Sequence, residues 1–351
     1  MILAGISFYE IPAILLIRIF FTITIYPYKI LSMILNTAFW ALILLISGIL
    51  MAKSAQILIK SLTTISRFFH LSEFAISFLL MATATSLPEL LVGINAALAN
   101  ESVLVLGNVI GSNIVDLSLV IGISILIARN LRVRSTIAKR DSLYMLVLGS
   151  FPLVLLADGY LGRLEGFALI CFYILYISRL LQQRSEFKPL KDGVSKKIFL
   201  KNFILFGIGI VILLVCSKLL LLSSEQIAIN LNLPLTFVGL ILVAVGTSMP
   251  ELIFETQAVL KSRSELVLGD IMGSVVTNIN LVLGIAAIIS PIQIQNPSIF
   301  YSSAIFMVVI LILFNIFLRS ERKLETAEGI ILILIYVAFL ILEFTVGLIN
   351  H

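Results

Sequence analysis

Two glutamates stand where an apolar chain should not tolerate them. Glu89 closes the stretch ATATSLPE at 82–89, and Glu251 closes AVGTSMPE at 244–251, 162 residues later. Each follows a proline and a pair of hydroxyl residues, Thr85 and Ser86 in the first stretch, Thr247 and Ser248 in the second. Proline has no N–H, and its ring crowds the carbonyl four residues back. Pro88 is therefore expected to free carbonyls in the 82–85 turn, and Pro250 those in the 244–247 turn. Freed carbonyls, hydroxyls and carboxylates are hard oxygen donors, the set that calcium and sodium prefer.

These stretches lie in a membrane. Hydrophobic residues make up 60% of the 351, charged residues 12%, and mean hydropathy is +1.16, a composition foreign to soluble globular chains. Apolar runs long enough to span the ~30 Å hydrocarbon core follow one another from about residue 37 to 348. They lack the ~10-residue alternation of a strand barrel. The fold class is an all-α membrane protein with ten core transmembrane helices: 37–63, 71–99, 102–128, 142–157, 163–182, 200–222, 233–260, 264–290, 298–318 and 327–348. At such depth an ionisable side chain costs ~2.5–3.5 kcal/mol, so a functional pathway is the default reading. Unpaired carbonyls persist there only where they line a cavity or meet an ion.

The gaps alternate in charge. Arg67, then Arg129 to Arg140, then Arg184 to Lys197, then Lys261 and Arg263, then Arg319 to Lys323 follow the odd-numbered spans, while the other gaps are nearly free of Lys and Arg. The positive-inside rule makes the basic set cytoplasmic, with both ends of the core outside the cell membrane. The pI of about 9.2 is thus a topology signal, and no nucleic-acid partner is expected. Lys53 and Lys218 read as snorkelling residues, and Glu343 as an interfacial acid.

The repeat organises the chain. Residues 82–122 align with 244–284 without a gap, with about 18 of 41 positions identical. The motifs fall in spans two and seven, so each repeat holds five spans and the two are inverted, an architecture that puts a transporter's site near the midplane. The domains are an N-terminal extension at 1–35 with a possible extra helix, a first five-helix repeat at 36–182, a basic cytoplasmic linker at 183–199 and a second repeat at 200–351. Within each repeat the spacing sets Ser112 at the depth of Glu89, with Asp116 one turn on the same face; Ser274 and Asn278 match them. The result is three carboxylates, one amide and several hydroxyls. Gly107, Gly111, Gly269 and Gly273 form small-xxx-small patterns that let backbones approach.

Other chemistries fit poorly. His70 and His351 are the sole histidines and neither lies in a motif, Cys171 and Cys216 sit in apolar runs, and HExxH is absent. A zinc site, a disulfide framework and a serine protease built on Ser86 or Ser248 all lack their parts. The expectation is a transporter, not an enzyme. A passive cation channel is an alternative, because oxygen-lined sites also make filters.

The stretches ATSLPELLVGINAALANESVLVLGNVIGSNIVD and GTSMPELIFETQAVLKSRSELVLGDIMGSVVTN resemble the inverted alpha-repeats of the sodium/calcium exchanger branch of the calcium/cation antiporters. The resemblance covers both repeats and the ten-span layout and leaves the N-terminal extension outside. It implies Ca²⁺ export in exchange for Na⁺ through a sliding two-helix gate. It implies a calcium site of the Glu89 and Glu251 carboxylates with the Thr85 and Thr247 carbonyls. It implies sodium sites of the Ala82 carbonyl, Ser86 and Ser112, with the Ala244 carbonyl, Ser248 and Ser274, and Asp116 and Asn278 completing the middle. Transported ions are the expected partners, with no cofactor and a working monomer. Four positions depart from the pattern: Ala84 replaces glycine, Asp270 asparagine, Val275 asparagine, and Glu255 adds an acid one turn after Glu251. Asp270 keeps proton-coupled cation exchange open, although the acid in the GNxxE pattern of proton-coupled relatives is missing. Sequence leaves open which way Asp270 and Glu255 point.

Overall fold

A computed structural model describes residues 10–133, 136–182, 194–230, 248–294, 297–320 and 323–349, with side chains from residue 33 onward. The chain is an all-helical membrane protein, as a backbone that must satisfy its own polar groups in hydrocarbon has to be. Eight helices among the described residues are long and apolar enough to cross a membrane, or nine when a bent pair counts as one span. Span 233–260 is the remaining expected one. Its second half is described, and its first half falls at 231–247, outside the described residues.

The order begins with α1 (Glu10–Phe69), the bent pair α2 (Glu73–Thr85) and α3 (Leu87–Leu98), then α4 (Ser102–Val115) and α5 (Ile121–Ala128). It continues with β1 (Asn130–Arg132), α6 (Thr136–Leu155), β2 (Tyr160–Leu161), α7 (Arg163–Gln182) and α8 (Lys196–Asn230). The second half holds α9 (Met249–Leu260), α10 (Ser264–Val276), α11 (Leu283–Ile289), β3 (Ile292–Gln293), α12 (Pro297–Ser320), β4 (Lys323–Glu325) and α13 (Thr326–Ile349). Wide π turns at Asp116–Val120 and Thr277–Val282 join α4 to α5 and α10 to α11. Two boundaries differ from the sequence reading. The extension, for which an extra helix was one possibility, is helical from Glu10 and continuous with span one in α1, since no glycine or turn cluster interrupts the run between Pro27 and Phe69 except Gly48, which is well inside it. The linker is shorter, because α8 starts at Lys196.

Polarity is reversed relative to a soluble protein. Leu98, Val154, Leu164, Leu175 and Val211 lie on the outside, while Glu89, Asp116, Glu251, Glu255 and Asp270 are buried. The α4–α5 and α10–α11 spans form the middle, 72% and 83% buried, against 22–39% for α6, α7, α12 and α13 around them. On the rim, α1 packs along α8, α6 against α12, α5 against α13 and α7 against α11. Two short antiparallel ladders tie loops across the halves: β1 to β4, with Leu131 opposite Leu324, and β2 to β3, with Leu161 opposite Ile292.

Local geometry recurs at the 162-residue offset. Ser86 breaks its span at φ −76°, ψ 3°, and Ser248 precedes α9 at φ −85°, ψ 10°. Asn100 and Ser262 both turn with positive φ, 60° and 57°. Glu101 N–H donates to the Ala96 carbonyl at 2.8 Å, and Arg263 N–H to that of Ala258 at 2.9 Å.

The glycine pattern is used in one half. A Cβ on Gly273 would lie 2.5 Å from Ala82 Cβ and 3.0 Å from the Phe78 backbone, and one on Gly269 would collide with the Phe74 carbonyl. α10 therefore lies directly against α2. No described atom approaches Gly107 or Gly111 in this way; the segment that the offset pairs with Phe74–Ala82 is 236–244, outside the described residues. Overpacking of such a contact costs about 1–3 kcal/mol. Gly273→Val is expected to lower the unfolding midpoint in detergent by several degrees, and Gly207→Val, with open space around its Cα, to leave it unchanged.

Candidate cation-binding site

The first motif builds a broken helix. α2 ends at Thr85, Ser86 is the hinge, and α3 departs at 45° with Pro88 in its first turn. Pro88 has no N–H for the Ala84 carbonyl, and helix restarts with Leu90 N–H donating to the Ser86 carbonyl at 3.0 Å. Pro250 likewise stands in the first turn of α9, where Leu252 N–H donates to the Ser248 carbonyl at 3.0 Å. Both glutamates thus sit in the first turn of a helix that starts inside the protein. The Ala82 carbonyl departs from expectation: it keeps a helical bond from Ser86 N–H at 3.0 Å and accepts from Thr85 Oγ1 at 3.3 Å.

The predicted residues converge to the extent that they are described. Ala82, Thr85, Ser86, Glu89, Ser112, Asp116, Ser248, Glu251, Ser274 and Asn278 are all buried, each at 3% exposure or less. Ala244 and Thr247 lie outside the described residues. Thr85 Oγ1 is 3.5 Å from Ser274 Oγ, which joins the break in the first motif to the middle of α10. Asn278 Nδ2 donates to Asn113 Oδ1 at 3.3 Å across the two π-turn regions. Asp116 faces Ser248, and Glu89, Asp116 and Asp270 are the acids near enough to act electrostatically on Glu251.

Asp270 and Glu255 both point inward. Asp270, wholly buried on α10, faces Thr85 and Asp116. Glu255, also wholly buried, accepts a hydrogen bond from Ser124 Oγ at 3.3 Å. A signal for Asp270 was present in the repeat. Its counterpart Asn108 donates to the Glu89 carbonyl at 2.9 Å, so this position lies at the depth of the glutamates. Val275 turns the other way, toward Gly149 on α6. Lys53 and Lys218 are exposed, away from the acids.

Both carboxylate oxygens of Glu251 and of Asp270, Oδ1 of Asp116, and the hydroxyls of Ser86 and Ser248 lack hydrogen-bond partners among the described residues. None of the three ion pairs between described side chains reaches Asp116, Glu251, Glu255 or Asp270. Desolvated acids of this kind cost several kcal/mol apiece when ionised and unaccompanied. No three acidic, imidazole or thiol groups among the described residues close on one point. A bound cation would need hydroxyl and carbonyl oxygens as well, the mixed shell usual for hard ions.

The family model described as sodium/calcium exchanger protein matches residues 39–182 and 201–345. The chain belongs to this family. It is 30% identical over 349 residues to sodium/calcium exchanger MaX1 of Methanosarcina acetivorans, covering 86% of this chain and 98% of that protein. It is 28% identical over 312 residues to inner membrane protein YrbG of Escherichia coli, at 85% and 93% coverage. The solved structure of the sodium-calcium exchanger NCX_Mj soaked with Na⁺ and Sr²⁺ superposes with TM-score 0.76 at 25% identity, covering 85% of this chain and 96% of that one. This member of the family is therefore a multi-pass membrane transporter of the cation-antiport class, and not an enzyme.

One residue tying the site together was not singled out by sequence. The Tyr173 hydroxyl on α7 lies 3.3 Å from Thr83 Oγ1 and accepts from Thr277 Oγ1 at 3.4 Å, linking α2 to the second π turn. Only its place in an apolar span marks it beforehand. Tyr173→Phe removes a hydroxyl between half-buried Thr83 and buried Thr277 and is expected to cost about 1 kcal/mol, read as a lower unfolding midpoint in detergent.

Proposed function

We propose that the chain is a secondary antiporter that uses inward Na⁺ flow to export Ca²⁺, by alternating access to an oxygen-lined site between two inverted five-helix repeats. The observation that carries this reading is the Glu251 carboxylate, buried in the first turn of α9, under the electrostatic influence of Glu89, Asp116 and Asp270 and with no basic partner among the described residues. Such a group needs a cation, and a site with several carboxylates favours a divalent one over a single monovalent ion. Loading with Na⁺ in its place requires several ions to offset the same charge, which is the physical basis for competition between the two.

The calcium ligands in this reading are the carboxylates of Glu89 and Glu251 with the backbone carbonyls of Thr85 and Thr247. Ala82, Ser86 and Ser112, with Ala244, Ser248 and Ser274, supply the sodium positions, and Asp116 and Asn278 complete the middle. Asp270 joins them. The basic ends support the orientation: Arg263 Nη1 bonds Glu73 Oε1 at 2.7 Å, and β1 brings Arg132 opposite Lys323. We take this end as cytoplasmic.

A second reading, proton-coupled exchange, is favoured by the buried Asp270, which adds a carboxylate able to carry H⁺. Transport in proteoliposomes separates the two. Uptake of radiolabelled Ca²⁺ is expected to follow an outward Na⁺ gradient; uptake indifferent to Na⁺ but accompanied by Ca²⁺-dependent H⁺ flux would transfer the assignment to the second reading. Glu89→Gln and Glu251→Gln are each expected to abolish Ca²⁺ transport, since either removes a charge from a divalent site. Wild-type flux in both variants would mean the ligands are elsewhere.

A further inference from the structure

The two repeats differ in chemistry at one pair of positions that the central site does not use. The offset that matches Glu251 to Glu89 matches Glu255 to Gly93, and carried two residues beyond the aligned block it matches Ser124 to Ala286. One helix pair, α9 with α5, thus holds a carboxylate and a hydroxyl 3.3 Å apart. Its counterpart, α3 with α11, offers a glycine and an alanine in their place, and there a Cβ on Gly93 would lie 2.9 Å from Val282 Cγ1. A buried acid is costly to acquire in a tight interface, so packing alone does not account for it.

The surroundings of Glu255 give it an occupation. Its Oε1 has no hydrogen-bond partner among the described residues, although the side chain is wholly buried. Asp116 and Asp270 are its electrostatic neighbours on the side of the central acids. On the other side, one turn or ~6 Å along each helix, Val259 and Ala128 line a cavity of about 430 Å³. Glu73, Arg263 and Glu265 give that cavity a charged wall, at the end of the bundle where the basic loops gather. Cavity, Glu255 with Ser124, and the central acids therefore lie in order along α5 and α9.

We propose that Glu255 and Ser124 form an accessory cation site, a station that holds Ca²⁺ between the cytoplasmic cavity and the central site. Its direction of use, though not its existence, rests on the antiport reading above. The counterpart path through Gly93 and Ala286 has no such station, so the two faces of the transporter load differently.

Two measurements on the full chain test this. In detergent, equilibrium binding of radiolabelled Ca²⁺ is compared for the wild type, Glu251→Gln, Glu255→Gln and the double variant, with size-exclusion profiles confirming folded protein. Glu251→Gln should retain weaker binding, which adding Glu255→Gln weakens by about tenfold more; an additional change smaller than twofold overturns the site. In proteoliposomes of defined orientation, Glu255→Gln and Glu255→Gly should each raise the half-saturating Ca²⁺ about tenfold on the face bearing Lys261 and leave the opposite face unchanged. Equal shifts on both faces, or none, overturn its placement on the cytoplasmic path. Absence of Na⁺-driven flux in the wild type defeats the antiport reading instead, and the binding comparison still decides whether Glu255 holds a cation.

Discussion

A carboxylate in hydrocarbon must have company, and this chain is arranged around that requirement. None of the ion pairs between described side chains reaches Asp116, Glu251 or Asp270, and a buried acid left in that state is costly when ionised. The bend at Ser86, the prolines that begin α3 and α9, and the wide π turns at Asp116 and Thr277 all loosen helix geometry where oxygen atoms are needed. A third π stretch lies within α2 at Ser77–Met81, beside Gly269 and Gly273 of α10, and unpaired backbone facing lipid would be costly.

Packing carries the same requirement outward. For polar groups on different helices to meet in the middle of the bundle, backbones must come closer than ordinary side chains allow. Gly269 and Gly273 set α10 directly on α2, and Thr85 then meets Ser274 at 3.5 Å. The tyrosine on α7 holds hydroxyls of both halves from behind. Stability and site geometry are thus the same set of contacts, and a substitution at Gly273 or Tyr173 disturbs both.

Much of this was legible in the sequence, for identifiable reasons. Helical spans announce themselves because most residues in a run must be apolar, and the motif residues because polarity at mid-span has few innocent causes. The orientations of Asp270 and Glu255 were not legible. Both lie on helices polar on more than one face, and the periodicity there does not choose among faces; packing of α10 on α2 and of α9 on α5 does. Whether the N-terminal extension is helical was open in the sequence, because its apolar run is short and carries Arg18; α1 runs through it from Glu10 without a break. The ties of Tyr173 depend on a fold that brings α7 across to both motifs, which no local pattern encodes.

The two small ladders have a mechanical meaning. β1 with β4 clasps the ends of α5, α6, α12 and α13, and β2 with β3 clasps those of α6, α7, α11 and α12. These helices form a hoop fastened at both rims. α1 and α8 pack chiefly along each other and belong to neither clasp. The ladders tie α5, α6, α7, α11, α12 and α13 to one another through backbone hydrogen bonds, whereas contacts between side chains are what hold the α1–α8 pair against the rest of the bundle.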